Sequence, residues 1–149
     1  MSEQDRFNLG KLAKEIVVSR LKDVQDAPGV AAEVVKRTIV AGVQGTRASG
    51  QDPRATVREI CRGAMTGLLL IEKDLPESTV RILERLTEAA AEVQRDPQEL
   101  MTWALEGVSG IAPMISKEAA WKIRDAINRK YMGVGEVFDK LCKAASAAR

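Results

Sequence analysis

Few residue types in this chain could do chemistry. Histidine is absent. That removes imidazole general bases, Ser-His and Cys-His nucleophile pairs and histidine-ligated metals together. Carboxylates are plentiful, and Glu84, Glu88 and Glu92 recur four residues apart. Such a row could hold a metal ion, but it is far more often the solvated face of a helix, and we read it so. Gly63-Ala64-Met65-Thr66-Gly67 is no phosphate loop, because no Lys-Ser/Thr follows the second glycine and the stretch falls mid-helix. The small-xxx-small spacing of Gly63 and Gly67 sits among Arg58, Glu59, Arg62 and Glu72, which points to a soluble helix crossing rather than a membrane dimer. Cys61 reads as a small buried hydrophobe. Cys142 has no activating charge evident beside it, and a disulfide is not expected in this setting. The expectation is therefore a non-catalytic protein without cofactor, catalytic residue or metal ligand.

What remains is contact chemistry. Trp103 occupies a helical column that elsewhere holds the polar Thr38, Glu59 and Arg81. A tryptophan there, one turn before Gly107, gives its helix a second apolar patch. Either a later helix of the same chain covers it, or it anchors an interface with a second copy or another protein. Trp103, Gly107, Gly110 and Met65 are the candidate interface residues.

The elements that must position them come from a repeat. Asp52, Asp74 and Asp96 recur at intervals of 22 residues, and Pro53, Pro76 and Pro97 each follow within two residues. Aspartate at an N-cap with proline in the first turn is a helix start. The same period links apolar residues. Ile39, Ile60, Ile82 and Ala104 form one column, Val40, Cys61, Leu83 and Leu105 a second, and Val43, Ala64, Leu86 and Val108 a third. These lie at i, i+1 and i+4 of each copy, one side of a helix. The opposite side carries Gly42, Gly63, Arg85 and Gly107. Glycine inside a helix costs about 0.5–1 kcal/mol relative to alanine, so those positions predict close approach of another backbone. The helix bearing Arg81, Arg85 and Glu88 there is expected to be covered on one side only.

The chain of 149 residues is read as one domain, 1–149, with the repeat over about 30–112. A chain this long buries about 68–70% of its unfolded surface without staples. Strand-like alternation is missing. With aromatics limited to Phe7, Trp103, Trp121, Tyr131 and Phe138, the core must be aliphatic. Net charge is +2, with signs interspersed, so nucleic acid is not an expected partner. Residues 115–149 are the mildly basic part, with eight Lys/Arg against four Asp/Glu. The start, Met1-Ser2-Glu3-Gln4-Asp5, is polar and no apolar stretch follows, so a secretory signal is not expected. No run is long enough for a transmembrane segment. Cytoplasm is the expected location.

Taken in order, helix 1 is predicted over about Glu3–Val24, opened by Ser2 with Asp5, and Asp26-Ala27-Pro28-Gly29 should break it. Helix 2 should span about Val30–Arg47. Helix 3 should begin at Asp52-Pro53 and reach about Lys73, with a broad apolar face that makes it the most buried element. Helix 4 is expected over about Pro76–Arg95, capped by Asp74 or Ser78, and helix 5 from Asp96-Pro97 to near Gly110. Ala112 should be non-helical before Pro113. Ser116 should cap helix 6, which carries Trp121, Ile123, Ala126, Ile127 and Tyr131. Gly133-Val134-Gly135 should separate it from helix 7, about Glu136–Ala147. Short connections predict a compact all-α array of six or seven antiparallel helices, with sequential helices as neighbours. A pair of long helices kinked at the prolines is the alternative.

Proline-punctuated repeats at this spacing, over Asp52 to Ser116, resemble those of the exchangeable apolipoproteins. The resemblance is one of spacing, not residue identity, and it implies binding to lipid surfaces. Glycine-bearing loops, few aromatics and glycines on the polar face depart from that pattern and favour folding of the helices onto one another. Tandem amphipathic helices bearing Gly42, Gly63 and Gly107 also resemble those of uncharacterised bacterial proteins, which implies no activity. Three functions stay open, in this order: a structural or interaction module that self-associates or docks a protein partner, a reversible peripheral binder of lipid or polymer surfaces, and a small-ligand protein or enzyme with a pocket among its helices.

Overall fold

The computed structural model describes the backbone of residues 3–147 and the side chains of residues 9–147. Among them are seven α-helices and no strand: α1 (Glu3–Arg20), α2 (Ala27–Ser49), α3 (Arg54–Leu70), α4 (Leu75–Val93), α5 (Pro97–Ser109), α6 (Lys117–Lys130) and α7 (Val134–Ala147). One 3-10 turn, Ala112–Met114, joins α5 to α6; Ala112, expected to be non-helical, is outside any α-helix but opens this tighter helical turn. Pro76 and Pro97 open separate helices and kink none. The Ser2–Asp5 capping pair lies outside the described residues.

Aspartate opens four helices by accepting backbone N–H groups that the helix itself leaves without partners. Asp26 accepts from Gly29 at 3.3 Å, Asp52 from Arg54 at 3.0 Å, Asp74 from Glu77 at 3.0 Å and Asp96 from Gln98 at 2.9 Å. Ser116 does the same for α6, accepting from Ala119 at 3.0 Å. The Asp26–Gly29 stretch is thus a start and not a break: Pro28 sits in the first turn, where a missing N–H costs nothing. α1 correspondingly ends at Arg20, before the expected Val24. Ser78 is buried inside α4, which leaves the cap to Asp74.

α2, α3 and α4 close with the same turn. Gln51, Lys73 and Arg95 donate to the carbonyls of Thr46, Leu68 and Ala90, while Gly50, Glu72 and Gln94 donate to those of Arg47, Leu69 and Ala91. The residue at the hinge of each turn is left-handed, with φ of 72° at Gly50, 57° at Glu72 and 56° at Gln94. Only the first is a glycine. That is why α3 stops at Leu70 although no stop signal precedes Lys73.

Loop lengths point to sequential helices as the main neighbours; among the first five helices alternate ones make the larger interfaces instead, while α6 packs most on its sequential neighbour α7. α1, α3, α5 and α7 pack one on the next, as do α2, α4 and α6. Within each row the contacts advance together along both chains. Asp26 pairs with Arg81, Glu33 with Arg85, and Lys36 with Glu88 at 3.2 Å; the Arg47 guanidinium donates to the Val93 carbonyl. Helices α2 and α4 therefore run parallel. The other row is set by glycine. A Cβ on Gly10 would sit 2.6 Å from the Glu59 carbonyl oxygen, and one on Gly63 would run into the Gly10 carbonyl. On the opposite flank, Gly107 of α5 rests on the Arg58 carbonyl and Cys61. α3 is held between two backbones at distances only glycine permits.

Between the rows lies one aliphatic core. Ile39, Ile60, Ile82 and Ala104 are fully buried, as are Cys61, Leu83, Ala64 and Val108. Val40 departs from its column and is only half-buried. Two further expectations change. α4 buries ten residues outright against eight in α3, although α3 exposes only Arg54, Arg62 and Leu70. α4 is also covered on more than one side, by α2, α5 and α6; its Arg81, Arg85 and Glu88 are the ion pairs that meet α2.

Candidate interaction surface

Three of the four candidate interface residues make their contacts within the chain. Met65 is fully buried, with the Thr79 hydroxyl 3.8 Å from its sulfur. Gly107 is buried against α3, and Gly110, one turn on, faces the Arg62 side chain. Gly107 and Gly110 thus share the α3–α5 contact, while Met65 faces α4. Trp103 is half-buried against the core, and the Arg95 guanidinium lies 5.6 Å from its ring centroid. These residues do not converge on one outer surface.

The carboxylate row is equally committed. Glu84 pairs with Lys130 of α6 at 3.5 Å, and Glu88 and Glu92 share Lys36 of α2. All three are exposed, as expected of a solvated helix face, and from that face they reach across to α2 and α6 through these pairs. Both thiols are free and buried. Burial pushes the Cys61 thiol up to about 12; burial, then the neighbouring Asp139 carboxylate, pushes Cys142 up to about 11. Nucleophilic thiols need the opposite shift, so each behaves as a small hydrophobe.

Exposed apolar groups gather instead on the C-terminal hairpin. Trp121 of α6 is 55% exposed and Met132, in the turn after it, 95% exposed, with Met114 and Val137 also open to solvent. Helical phase explains it: α6 sets Ile123 and Ile127 against the body, and Trp121 lies about 200° away from Ile123 around the helix. Asn128 fixes the turn. Its side-chain oxygen accepts from Gly133 at 2.9 Å and Gly135 at 3.2 Å. Gly133 takes φ of 89°, and Gly135, expected in the linker, is already within α7 and pressed against Asn128 and the Arg124 carbonyl.

This hairpin encloses a groove. A hollow of about 590 Å³ opens between the 3-10 turn, α6 and α7, with Ala112, Ile115, Ala120, Trp121 and Cys142 lining it. A second hollow of about 590 Å³ continues toward Met132, and both share Arg124, Asp139 and Lys143. Arg124 bonds Asp125 at 2.9 Å and stacks 5.6 Å from the Trp121 centroid; Lys143 bonds Asp139 at 3.1 Å.

The chain matches no family model, no curated protein and no solved structure.

Trp121, Met132 and Asn128 are the surface residues that sequence reasoning passed over. Trp121 stands among the residues α6 carries alongside Ile123 and Ile127, although its phase against that pair places it on the far side. Met132 and Asn128 had no pattern to mark them, because a turn pinned by one asparagine oxygen is visible only in three dimensions.

Proposed function

We propose that this chain is a non-catalytic interaction module whose working surface is the α6–α7 hairpin. The observation that carries this is Trp121, an aromatic ring more than half open to solvent at the mouth of an apolar groove. A large apolar side chain left in water forgoes roughly 1.5–3 kcal/mol of burial, and aromatic anchors of this kind dominate the energetics of interfaces. The body of the molecule supplies a rigid mount: the glycine crossings and the α2–α4 ion pairs hold five helices whose exposed large apolar side chains, among the described residues, are Leu12 and Leu70.

A photo-crosslinking amino acid at position 121 tests this in cells that express the protein, with position 70 as the control because Leu70 is equally apolar and 60% exposed on α3. Crosslinks to protein from position 121 and not from 70 are the expected result. Equal yields from both, or none from 121, would contradict the proposal.

A second reading is favoured by Met132 and Trp121 projecting from a segment with a surplus of cations. Residues 115–149 hold eight Lys/Arg against four Asp/Glu. Aromatic and apolar groups among lysines suit peripheral contact with an anionic lipid surface. Vesicle flotation separates the two: binding to anionic vesicles that Trp121→Ala abolishes supports this second reading, and no binding ends it.

A further inference from the structure

We infer that the hollow where α1 crosses α3 binds a phosphate group through Lys11, Lys14 and Arg62. The site lies on the body and is independent of the hairpin surface, so either can fail without the other.

The site lies where side chains are missing. Gly10 of α1 meets the Glu59 carbonyl, and Gly63 of α3 meets the carbonyl of Gly10. Neither helix raises a Cβ at this crossing, and a hollow of about 390 Å³ opens beside it. Small-molecule sites span roughly 300–1,000 Å³, so the hollow has room for a phosphate and a small attached group. Lys11 follows the first glycine in the chain, Arg62 precedes the second, and Lys14 stands one turn further along α1; all three line the hollow. The Arg62 stem also packs against α5, where a Cβ on Gly110 would sit 3.3 Å from its Cδ. A guanidinium on a stem already packed in this way loses less freedom on binding than one free in solvent.

The three cations lack anions of their own. Among the described residues none of them makes an ion pair. Elsewhere in the body cations are taken up at the seams, Lys36 by Glu88 and Glu92, Arg54 and Arg58 by Glu106, and Arg81 by Asp26. Glu59 is the one carboxylate lining the hollow, and its ion pair is with Arg58 at 4.0 Å. Three cations against one carboxylate leave a local surplus of two positive charges, which suits a dianion. A phosphate monoester carries about two negative charges near neutral pH. Its three terminal oxygens can each meet a donor from the guanidinium fork or the two ammonium groups. A carboxylate brings one charge and two oxygens, and leaves a cation unmatched. The Thr66 hydroxyl already donates to the Arg62 carbonyl at 2.8 Å, so recognition rests on the cations. Because Glu106 holds Arg54 and Arg58, the free cations do not continue along α3. The surface therefore fits one phosphate group rather than a nucleic-acid strand, which needs charge along its length.

The test follows amide chemical shifts of the full chain by NMR, with inorganic phosphate, acetate or chloride added at one ionic strength. Phosphate is expected to move the Gly10, Lys14, Gly63 and Thr66 amides saturably, and to bind at least about tenfold more tightly than acetate. Arg62→Ala should weaken phosphate about tenfold, the loss of one charge-assisted hydrogen bond. Lys22→Ala removes an exposed cation just past the end of α1 and should leave phosphate binding unchanged. Glu59→Gln should tighten it. Each variant should keep the circular dichroism spectrum of the parent. Flotation with vesicles containing phosphatidic acid then separates two sources of the same group. Vesicle binding lost in Arg62→Ala assigns a lipid headgroup, and phosphate binding without flotation assigns a soluble phosphate ester; both support the site. The inference is overturned if the phosphate shifts do not saturate, or if acetate binds as tightly as phosphate. It is also overturned if Lys22→Ala weakens phosphate as much as Arg62→Ala does, or if the shifts gather on residues 115–149 instead.

Discussion

The five-helix body and the C-terminal hairpin are built by different rules. In the body, α3 alone buries eight residues, and backbones cross at Gly10, Gly63 and Gly107. Charged side chains there point along the seams: Lys36 joins Glu88 and Glu92, and Glu106 joins Arg54 and Arg58. In the hairpin, α6 buries only Ile123 and Ile127, and α7 only Gly135, Phe138 and Cys142. Most of its charges pair within one helix, as Lys122 with Glu118 and Lys143 with Asp139 do. Exposed ion pairs of that sort contribute about 0–1 kcal/mol. The difference teaches that the body is held by buried contacts and ion pairs between helices, while the hairpin buries little and leaves Trp121 and Met132 open to solvent.

The contrast can be broken most severely at Phe138. It is the largest side chain the hairpin buries, and Phe138→Ala is expected to cost about 3–5 kcal/mol, read as a drop in the denaturation midpoint. A smaller cost would mean that the hairpin hardly docks on the body. Gly63→Leu strikes the body instead. Backbone atoms of Gly10 occupy the space, and neither helix can yield alone; a loss of about 3 kcal/mol is expected, visible in chemical denaturation. If Gly63→Leu is neutral, α1 does not lie where the structure puts it.

Next come the left-handed turn residues. Glu72 and Gln94 hold a conformation that costs a non-glycine residue roughly 1 kcal/mol. Glu72→Gly and Gln94→Gly should each raise stability by up to that amount, about 2–4 °C in Tm for a chain of this size. The same change at Leu70, inside α3, should lower it. The smallest effect belongs to Trp121. Trp121→Ala should change stability by no more than about 0.5 kcal/mol, even though it removes the largest exposed apolar group of the hairpin. A large loss would show that the ring is part of the core and not of a docking surface.

Much of the body was legible in the sequence, for a local reason. Asp52, Asp74 and Asp96 satisfy backbone donors within two or three residues of themselves, so their role needs no tertiary knowledge. The Ile39, Ile60, Ile82 and Ala104 column followed from helical phase and is fully buried. The ends of α3 and α4 were less legible, because Glu72 and Gln94 carry no turn signature comparable to Gly50. The pairing of alternate helices was not legible at all. It depends on Gly10 meeting Glu59 and on Gly107 meeting Arg58, contacts about 50 residues apart that no short pattern encodes. Trp103 looked out of place in its column and is half-buried against the core with Arg95 over its ring, whereas Trp121 broke no column because α6 lies outside the repeat.

Native-state hydrogen exchange compares the two regions in one experiment, since opening free energy tracks the buried contacts each segment makes. Amides in the middle of α3, from Ile60 to Met65, should exchange only through global unfolding, and those of α6 and α7 through a smaller opening that leaves α3 protected. Exchange of α6 and α7 as slow as that of α3, or loss of α3 protection in the smaller opening, would contradict the division between a tightly packed body and a more lightly held hairpin.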